Sequence, residues 1–216
     1  MSRIVLIGSS SAIAKSLQNQ SNREFVCFTR SNGFDISGDL SELDDLEDIN
    51  GLVYFPGTIN LKPFTMLKEQ DYQNDLDINF LGAVKVVKKL IGKLKEADGA
   101  SVVFISTVAA SIGLPFHASI SPAKAALEAY ARSMAAEYAG AKISFNVVAP
   151  SLANTPMAEN LLKTDRLIEA SKERNPMKQI GSPEQISKTI DFLLDSHNNW
   201  MTGQVIPVDG GMVNLK

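Results

Sequence analysis

Six short apolar runs divide the chain, and each predicts a buried β-strand. Runs of Val, Ile, Leu and Phe without regular polar alternation are typical of parallel strands that are covered on both faces. The segments between several of these runs carry apolar residues three and four positions apart, which indicates amphipathic helices. The predicted strands are residues 4–7, 25–28, 51–55, 102–105, 143–148 and 204–208.

The predicted helices alternate with these strands. One begins near Asp71 or Asp75, another runs from Ala123 to a stop at Gly140, and a third begins at Ser182-Pro183, where serine can cap and proline suits the first turn. Alternation of this kind predicts an α/β fold, a single-domain Rossmann-type doubly wound parallel sheet.

Two segments depart from simple alternation. FDIS begins only a few residues after the second strand, and SELDDLED follows it, so we expect a shortened crossover between the second and third strands. Residues 156–180 form an amphipathic stretch after the fifth strand, which predicts a lid-like segment over the strand ends.

Composition narrows the class of protein. A chain of 216 residues that is 44% hydrophobic fits one domain, residues 1–216. The net charge of -3 offers no basic field for nucleic acid, and Cys27 as the single cysteine rules out a cysteine-rich metal site, so we expect no metal. No apolar stretch approaches the ~20 residues that span a bilayer, and no leader pattern is present, so we expect a cytoplasmic protein without membrane contact.

Polar side chains follow the predicted strands at the end where open α/β sheets bind ligands. Ser106 and Thr107 follow the fourth strand, and we expect Lys124 in the first turn of the next helix, facing the strand ends. The first strand runs into GSSSAIA, a turn that can present N–H groups and a helix N-terminus to a phosphate. Gly8 is its only glycine, so a turn without a ligand is an equal alternative for this segment.

Two further residues have open interpretations. Arg30 after the second strand can hold the 2′-phosphate of NADP, or can be a solvated surface arginine. Asn79 lies inside a predicted helix, away from most of the apolar stripe, where it is either exposed or satisfies a local break in the backbone hydrogen bonds.

Taken together, the segments DINFLGAV, FISTVAA, AKAALEAYARSMAAE, ISFNVVAPSLANTPM and TGQVIPVDGG resemble the short-chain dehydrogenase/reductase family over essentially the whole chain. The resemblance implies a nucleotide bound along the strand ends, with NADP(H) preferred over NAD(H) because of Arg30. Lys124 would bind the nicotinamide ribose, and Asn79 would hold a water connected to it. The remaining cofactor-binding residues implied are Gly8, Ser9, Ser10, Ser11 and Ile13 for the pyrophosphate, Asp35 and Ile36 for the adenine, Gly57 in the turn after the third strand, and Pro150, Ser151, Leu152 and Thr155 for the nicotinamide.

The catalytic positions of that family are only partly kept. Its tyrosine lies four residues before the lysine, where this chain has Ile120, which cannot transfer a proton. Its serine falls on Thr107, and Ser106 is a second candidate hydroxyl. His117, seven residues before Lys124, stands at the spacing of the tyrosine in the enoyl-thioester reductase branch, so we hypothesise that it supplies the proton.

These features leave three functions open. The first is an NADP(H)-dependent oxidoreductase acting on a small carbonyl or activated-alkene substrate. The second is a nucleotide-binding protein without turnover, an NADP(H) sensor or partner subunit, and the third is a fold that binds neither. The resemblance also implies a homo-dimer or homo-tetramer, formed through the helices of Asn79 and Lys124 and the apolar C-terminal residues Val205, Ile206 and Val208.

Overall fold

A single parallel sheet organises the molecule. The computed structural model describes residues 3–195 and 200–215, and within them six strands pair in the order β2-β1-β3-β4-β5-β6. All six predicted strands are confirmed, although the fifth extends two residues further than expected, to Pro150. The strands are β1 (Arg3–Ile7), β2 (Glu24–Phe28), β3 (Ile49–Tyr54), β4 (Ala100–Ile105), β5 (Ile143–Pro150) and β6 (Val205–Val208).

Helices cover both faces of the sheet, as expected for a doubly wound fold. Apolar side chains of α3 and α4 pack on one face, and those of α1 and α6 pack on the other. Because side chains alternate along a strand, neighbouring residues such as Val102 and Val103 enter opposite cores. The helices are α1 (Ala12–Gln20), α2 (Glu69–Leu76), α3 (Gly82–Glu96), α4 (Ile120–Tyr138), α5 (Asp165–Glu173) and α6 (Pro183–Leu193).

The helix expected from Asp71 or Asp75 is interrupted. It consists of α2 and α3 joined by a wide π-helical turn, Asp77–Leu81, and it begins earlier than expected, at Glu69. The early start has a local cause, since a carboxylate oxygen of Asp71 accepts a hydrogen bond from the backbone N–H of Lys68 (2.9 Å).

The start of α4 corrects a second expectation. The helix begins at Ile120 rather than Ala123, so Lys124 lies in the second turn and not in the first. Pro122 falls in the first turn, where its missing N–H would have had no helical partner, and it therefore permits the earlier start. Lys124 nevertheless faces the end of β4, as expected.

The crossover between β2 and β3 is short, as the sequence indicates. It contains two 3₁₀ turns, Arg30–Asn32 and Ser41–Leu43, and no α-helix. Phe34, Leu40 and Leu43 of this segment are buried in the core on the α3 side, so the crossover is packed without a helix.

The lid-like segment contains a 3₁₀ turn, Pro156–Leu161, and α5. Its far end is tied to the C-terminal turn, because Asn175 Nδ2 donates to the carbonyl of Asp209 (2.6 Å) and the N–H of Met177 donates to the carbonyl of Gly210 (3.3 Å). Across the described ranges, no helix combines the length and the apolar character needed to cross a membrane.

Candidate active site

Lys124, Asn79 and Gly57 meet where β3 and β4 end. The side chain of Lys124 is 6% exposed, and its Nζ donates to the carbonyl of Ile105, the last residue of β4 (2.7 Å). Gly57 lies beside both other residues, since a Cβ atom on it would stand 3.1 Å from Asn79 Oδ1 and 3.3 Å from Lys124 Nζ. Glycine therefore allows the turn after β3 to approach the amine and the amide together.

Burial changes the acidity of Lys124. Desolvation lowers the pKa of its ammonium from 10.5 to about 8, while the carboxylates of Asp75 and Glu128 act in the opposite direction. An amine with this pKa can exchange a proton close to neutral pH, which an ordinary surface lysine does rarely.

Asn79 satisfies the backbone at the π-helical turn. Its side chain is 0% exposed, and its Nδ2 donates to the carbonyl of Asp75 (2.8 Å) and to Thr58 Oγ1 (2.8 Å). Its Oδ1 accepts from the N–H of Thr58 (3.3 Å). Asn79 is therefore not exposed, and the prediction that it satisfies a local break in the backbone hydrogen bonds is confirmed.

The two hydroxyls after β4 have different surroundings. Ser106 Oγ is buried and donates to Glu128 Oε1 (2.6 Å), so its proton is engaged beneath α4. Thr107 Oγ1 accepts from the N–H of Ala109 (3.3 Å) at the start of a 3₁₀ turn. This bond uses a lone pair of the oxygen and leaves the hydroxyl hydrogen of Thr107 to serve another acceptor.

The residues before Lys124 differ in what they offer chemically. Ile120 is 5% exposed and begins α4 with an apolar side chain. His117 lies in the loop before the helix, and its Nδ1 is 2.7 Å from the carbonyl of Pro115. Because a carbonyl only accepts, Nδ1 carries the hydrogen, and Nε2 is left with the lone pair that can accept one.

A turn of small residues lies between β1 and α1. Gly8 adopts a left-handed φ of +78°, and a Cβ atom there would stand 3.1 Å from Pro56 Cδ. Ser11 caps α1 by accepting from the N–H of Ala14 (3.1 Å), and Ser10 Oγ accepts from the hydroxyl of Thr29 (2.8 Å). The turn thus brings the N-terminus of α1 to the same edge of the sheet as Lys124.

A family model described as "Enoyl-(Acyl carrier protein) reductase" matches residues 42–213, which include all of these central residues except the turn after β1. The chain belongs to the short-chain dehydrogenase/reductase family. The expected family membership is therefore confirmed, and so is the Rossmann-type fold that it implies.

Individual relatives agree with this assignment. The chain is 32% identical over 147 residues to the 3-oxoacyl-[acyl-carrier-protein] reductase FabG of Thermotoga maritima, covering 68% of this chain and 59% of that protein. It is 33% identical over 163 residues to a tropinone reductase homolog of Arabidopsis thaliana, covering 76% of this chain and 62% of that protein. The chain thus spans about three fifths of the length of these relatives.

Solved structures share the fold. A gluconate 5-dehydrogenase from Burkholderia cenocepacia, solved with NADP and tartrate, superposes with a TM-score of 0.89 at 18% identity, covering 100% of this chain and 96% of that chain. A short chain dehydrogenase family protein from Francisella tularensis superposes with a TM-score of 0.88 at 21% identity, covering 100% of both chains.

The short crossover of this short-chain dehydrogenase/reductase carries the residues that the sequence predicts for the adenosine. Arg30 is exposed at the start of the first 3₁₀ turn, and its charge joins the hydrogen bonds of Ser37 in lowering the pKa of Asp35. Ile36 packs at the start of α3, where its Cδ1 would lie 2.9 Å from a Cβ atom on Gly82. The structure therefore places Arg30, Asp35 and Ile36 in one segment next to the sheet edge.

The opposite side follows β5. Pro150 ends the strand, the N–H of Ser151 donates to the carbonyl of Val208 (3.3 Å), and the carbonyl of Leu152 accepts from the N–H of Gly181 (3.0 Å). Thr155 precedes the first turn of the lid. Two cavities border this region, one of about 190 Å³ between Ser151 and the lid and one of about 260 Å³ beside the turn after Thr107.

Sequence reasoning overlooked the polar residues behind Asn79. Asp75 and Thr58 contact each other and Asn79, and both belong to the buried network around Lys124. The available signal was spacing, because Asp75 stands four residues before Asn79 and therefore on the same side of the helix. In the ranges that the structure covers, no group of three or more His, Cys, Asp or Glu residues could hold a metal ion.

Proposed function

We propose that the protein is an NADP(H)-dependent oxidoreductase that acts on a small carbonyl or activated-alkene substrate. The observation that carries this proposal is the meeting of Lys124, Asn79 and Gly57 at the ends of β3 and β4. Ligands of open α/β sheets bind in the crevice outside these strand ends. The names of the relatives, which include reductases for 3-oxoacyl groups, support the same class of reaction.

The positions of the small-residue turns support a dinucleotide bound along this crevice. A Cβ atom on Gly8 or on Gly57 would stand 3.1 Å from Pro56 or from Asn79, so both turns pack closely against the strand ends. Gly8 to Ser11 with Ile13 would hold the pyrophosphate, and Lys124 would hold the ribose. Arg30, Asp35 and Ile36 would contact the adenosine half, and Pro150, Ser151, Leu152 and Thr155 the nicotinamide half. When bound, the nicotinamide would supply or accept the hydride.

The proton must come from the protein, and Ile120 cannot provide it. We assign this step to His117 because it lies seven residues before Lys124 and an imidazole can both accept and donate a proton. Thr107 would donate its free hydroxyl hydrogen to the substrate oxygen, and the ammonium of Lys124 would stabilise negative charge that develops nearby.

One observation favours a second function. The buried apolar side chain of Ile120 suits a nucleotide-binding protein that does not turn over, either an NADP(H) sensor or a partner subunit. Both functions require nucleotide binding, so a measurement of substrate turnover is needed to distinguish them. Only the oxidoreductase would turn over substrate and require His117.

Cofactor choice is tested by calorimetric titration of NADPH and NADH into the native protein, Arg30→Ala and Arg132→Ala. Arg132 is an exposed arginine on α4 and serves as the matched control. We expect Arg30→Ala to weaken NADPH binding about tenfold or more, since it removes a charge-assisted contact to the 2′-phosphate, and to leave NADH unchanged. Equal loss for both nucleotides would contradict NADP preference, and binding of neither by the native protein would remove the proposed function.

The role of His117 is tested with His117→Ala and the control Phe116→Ala, an exposed neighbour in the same loop. Turnover of small ketones and of 3-oxoacyl and enoyl thioesters is measured with NADPH. We expect His117→Ala to lose roughly 10²-fold or more in turnover with nucleotide affinity preserved, as is typical for loss of an acid–base group. Unchanged turnover in His117→Ala would remove this residue from the mechanism.

A further inference from the structure

A buried carboxylate stands directly behind the candidate site. Asp75 on α2 is 1% exposed, and its Oδ1 accepts a hydrogen bond from the hydroxyl of Thr58. Its Oδ2 is also buried and has no hydrogen-bond partner in the described part of the chain. A buried carboxylate oxygen without a donor is costly unless a positive charge lies nearby.

The nearby positive charge is Lys124. Of the two carboxylates that favour the charged form of this lysine, Asp75 acts more strongly than Glu128. Each carboxylate accepts one hydroxyl hydrogen bond, Asp75 from Thr58 and Glu128 from Ser106 (2.6 Å). Asp75 is the principal counter-charge of the buried ammonium, because it acts more strongly and its partner Thr58 follows Gly57, which lies beside Lys124 Nζ.

The same carboxylate belongs to the scaffold of the site. Asn79 Nδ2 donates to both the carbonyl of Asp75 (2.8 Å) and Thr58 Oγ1 (2.8 Å), and the N–H of Thr58 donates to Asn79 Oδ1 (3.3 Å). Thr58 directly follows Gly57 in the chain. A change at Asp75 is thus transmitted to the turn that contacts Lys124.

We propose that Asp75 is a positioning residue of this site, whose ionised carboxylate keeps Lys124 as an ammonium at neutral pH and, through Thr58 and Asn79, holds the Gly57 turn against it. This role rests on the proposed function only in so far as Lys124 binds the nucleotide ribose. The charge of Lys124 itself can be measured without any nucleotide.

The remaining charged groups on the packed elements are directed elsewhere. Asp77 on the π-helical turn is exposed and accepts from Gln73 Nε2 (2.8 Å), and Arg132 on α4 is exposed. Asp71 on α2 pairs with Lys62 (2.8 Å). Asp75 and Glu128 are therefore the acidic groups that act on Lys124, and Asp75, the stronger of the two, is the one to vary.

The experiment is an NMR titration of Lys124 in protein labelled with ¹³C at lysine Cε, with the signal assigned by its loss in Lys124→Arg. Native protein is compared with Asp75→Asn, with Asp75→Glu, and with Asp77→Asn, which removes an exposed carboxylate two residues away. We expect Asp75→Asn to move the titration midpoint of Lys124 down by about 1 to 3 pH units, Asp75→Glu to restore it in large part, and Asp77→Asn to leave it in place.

Nucleotide binding gives the second measurement. At pH 7 we expect Asp75→Asn to bind NADPH more weakly than native protein, with the difference shrinking as the pH is lowered and Lys124 becomes charged again. A folded Asp75→Asn variant whose Lys124 midpoint matches the native value would overturn the role of Asp75.

The native protein provides a test that does not depend on how the variants fold. With ¹³C at aspartate Cγ, the Asp75 signal should shift at the pH where Lys124 loses its proton, because the two groups are neighbours. An Asp75 signal that does not change across the Lys124 titration would overturn the proposal. Failure of NADPH to bind while the Asp75 signal still follows the Lys124 titration would count against the proposed function and not against Asp75.

Discussion

Ile120 and Lys124 lie one helical turn apart on α4. The family resemblance predicts a tyrosine and a lysine at these two positions, and this chain has only the lysine. Lys124 keeps a buried ammonium with a pKa of about 8, whereas Ile120 fills the position four residues earlier with an apolar side chain. A tyrosine at that position would have its phenol beside a cation, which lowers the pKa of the phenol towards neutral.

The role of position 120 can be tested by introducing a tyrosine there. We expect Ile120→Tyr to turn over a ketone with NADPH roughly 10²–10⁴-fold faster than Ile120→Phe, because the two variants share bulk and differ in one acidic hydroxyl. Steady-state rates and thermal unfolding of both variants are the measurements. Equal rates in two folded variants would show that the site does not use a proton donor at position 120.

Among the elements, the lid-like segment has an attachment to the C-terminal turn that a single substitution can test. Its end is fastened to the C-terminal turn by Asn175, which donates to the carbonyl of Asp209 (2.6 Å) and accepts from the N–H of Met177 (3.0 Å). Gly210 has a φ of +61°, and a Cβ atom there would come within 2.3 Å of Asn175 Oδ1, so the turn and the asparagine fit each other closely.

We expect Asn175→Ala to lower the free energy of unfolding by about 1–2 kcal/mol, because it removes the two hydrogen bonds that this buried side chain makes to the carbonyl of Asp209 and the N–H of Met177. Hydrogen exchange should become faster at residues 175–178 and 209–213 and stay unchanged in the central strands. Asn214→Ala, an exposed asparagine near the same turn, is the control. Unaltered exchange at both segments in Asn175→Ala would mean that other contacts hold the lid.

Strands and helices were predictable from sequence to different degrees. The central strands are apolar on both faces, so their pattern is continuous and their positions were correct. The π-helical turn was not predictable, because the same apolar stripe continues through it. Its geometry depends on two residues distant in the chain: the hydroxyl of Tyr54 donates to the carbonyl of Ile78 (2.6 Å), and Thr58 Oγ1 accepts from the amide of Asn79 (2.8 Å).

The same limit applied to the candidate site. The family resemblance predicts Lys124, Asn79 and Gly57 as site residues, and in the structure the three lie close together. The sequence does not predict Asp75 as a site residue, because an acidic residue in an amphipathic helix is usually solvated. Only the packing of α2 against α4 shows that this one is buried.

For the whole molecule, parallel pairing explains why chemistry collects at one edge. Every strand pair is parallel, so the residues that follow β1, β3, β4 and β5 all emerge on the same side of the sheet. β2 and β6 lie at the two sides of the described sheet, and β6 presents one unpaired edge. Assembly into a homo-dimer or homo-tetramer stays a prediction, and Val205, Ile206 and Val208 already pack partly against the core of their own chain.

The burial of Lys124 also affects how its amine reacts with carbonyl compounds. An amine with a pKa of about 8 is a competent nucleophile and, if accessible, condenses with aldehydes and ketones to form imines. Here the nitrogen donates a hydrogen bond to the carbonyl of Ile105, and at pH 7 most of it is the ammonium, because its pKa of about 8 lies above that pH. An ammonium has no lone pair, so the fold keeps this lysine mainly as a hydrogen-bond donor and leaves little free amine to condense with a carbonyl compound.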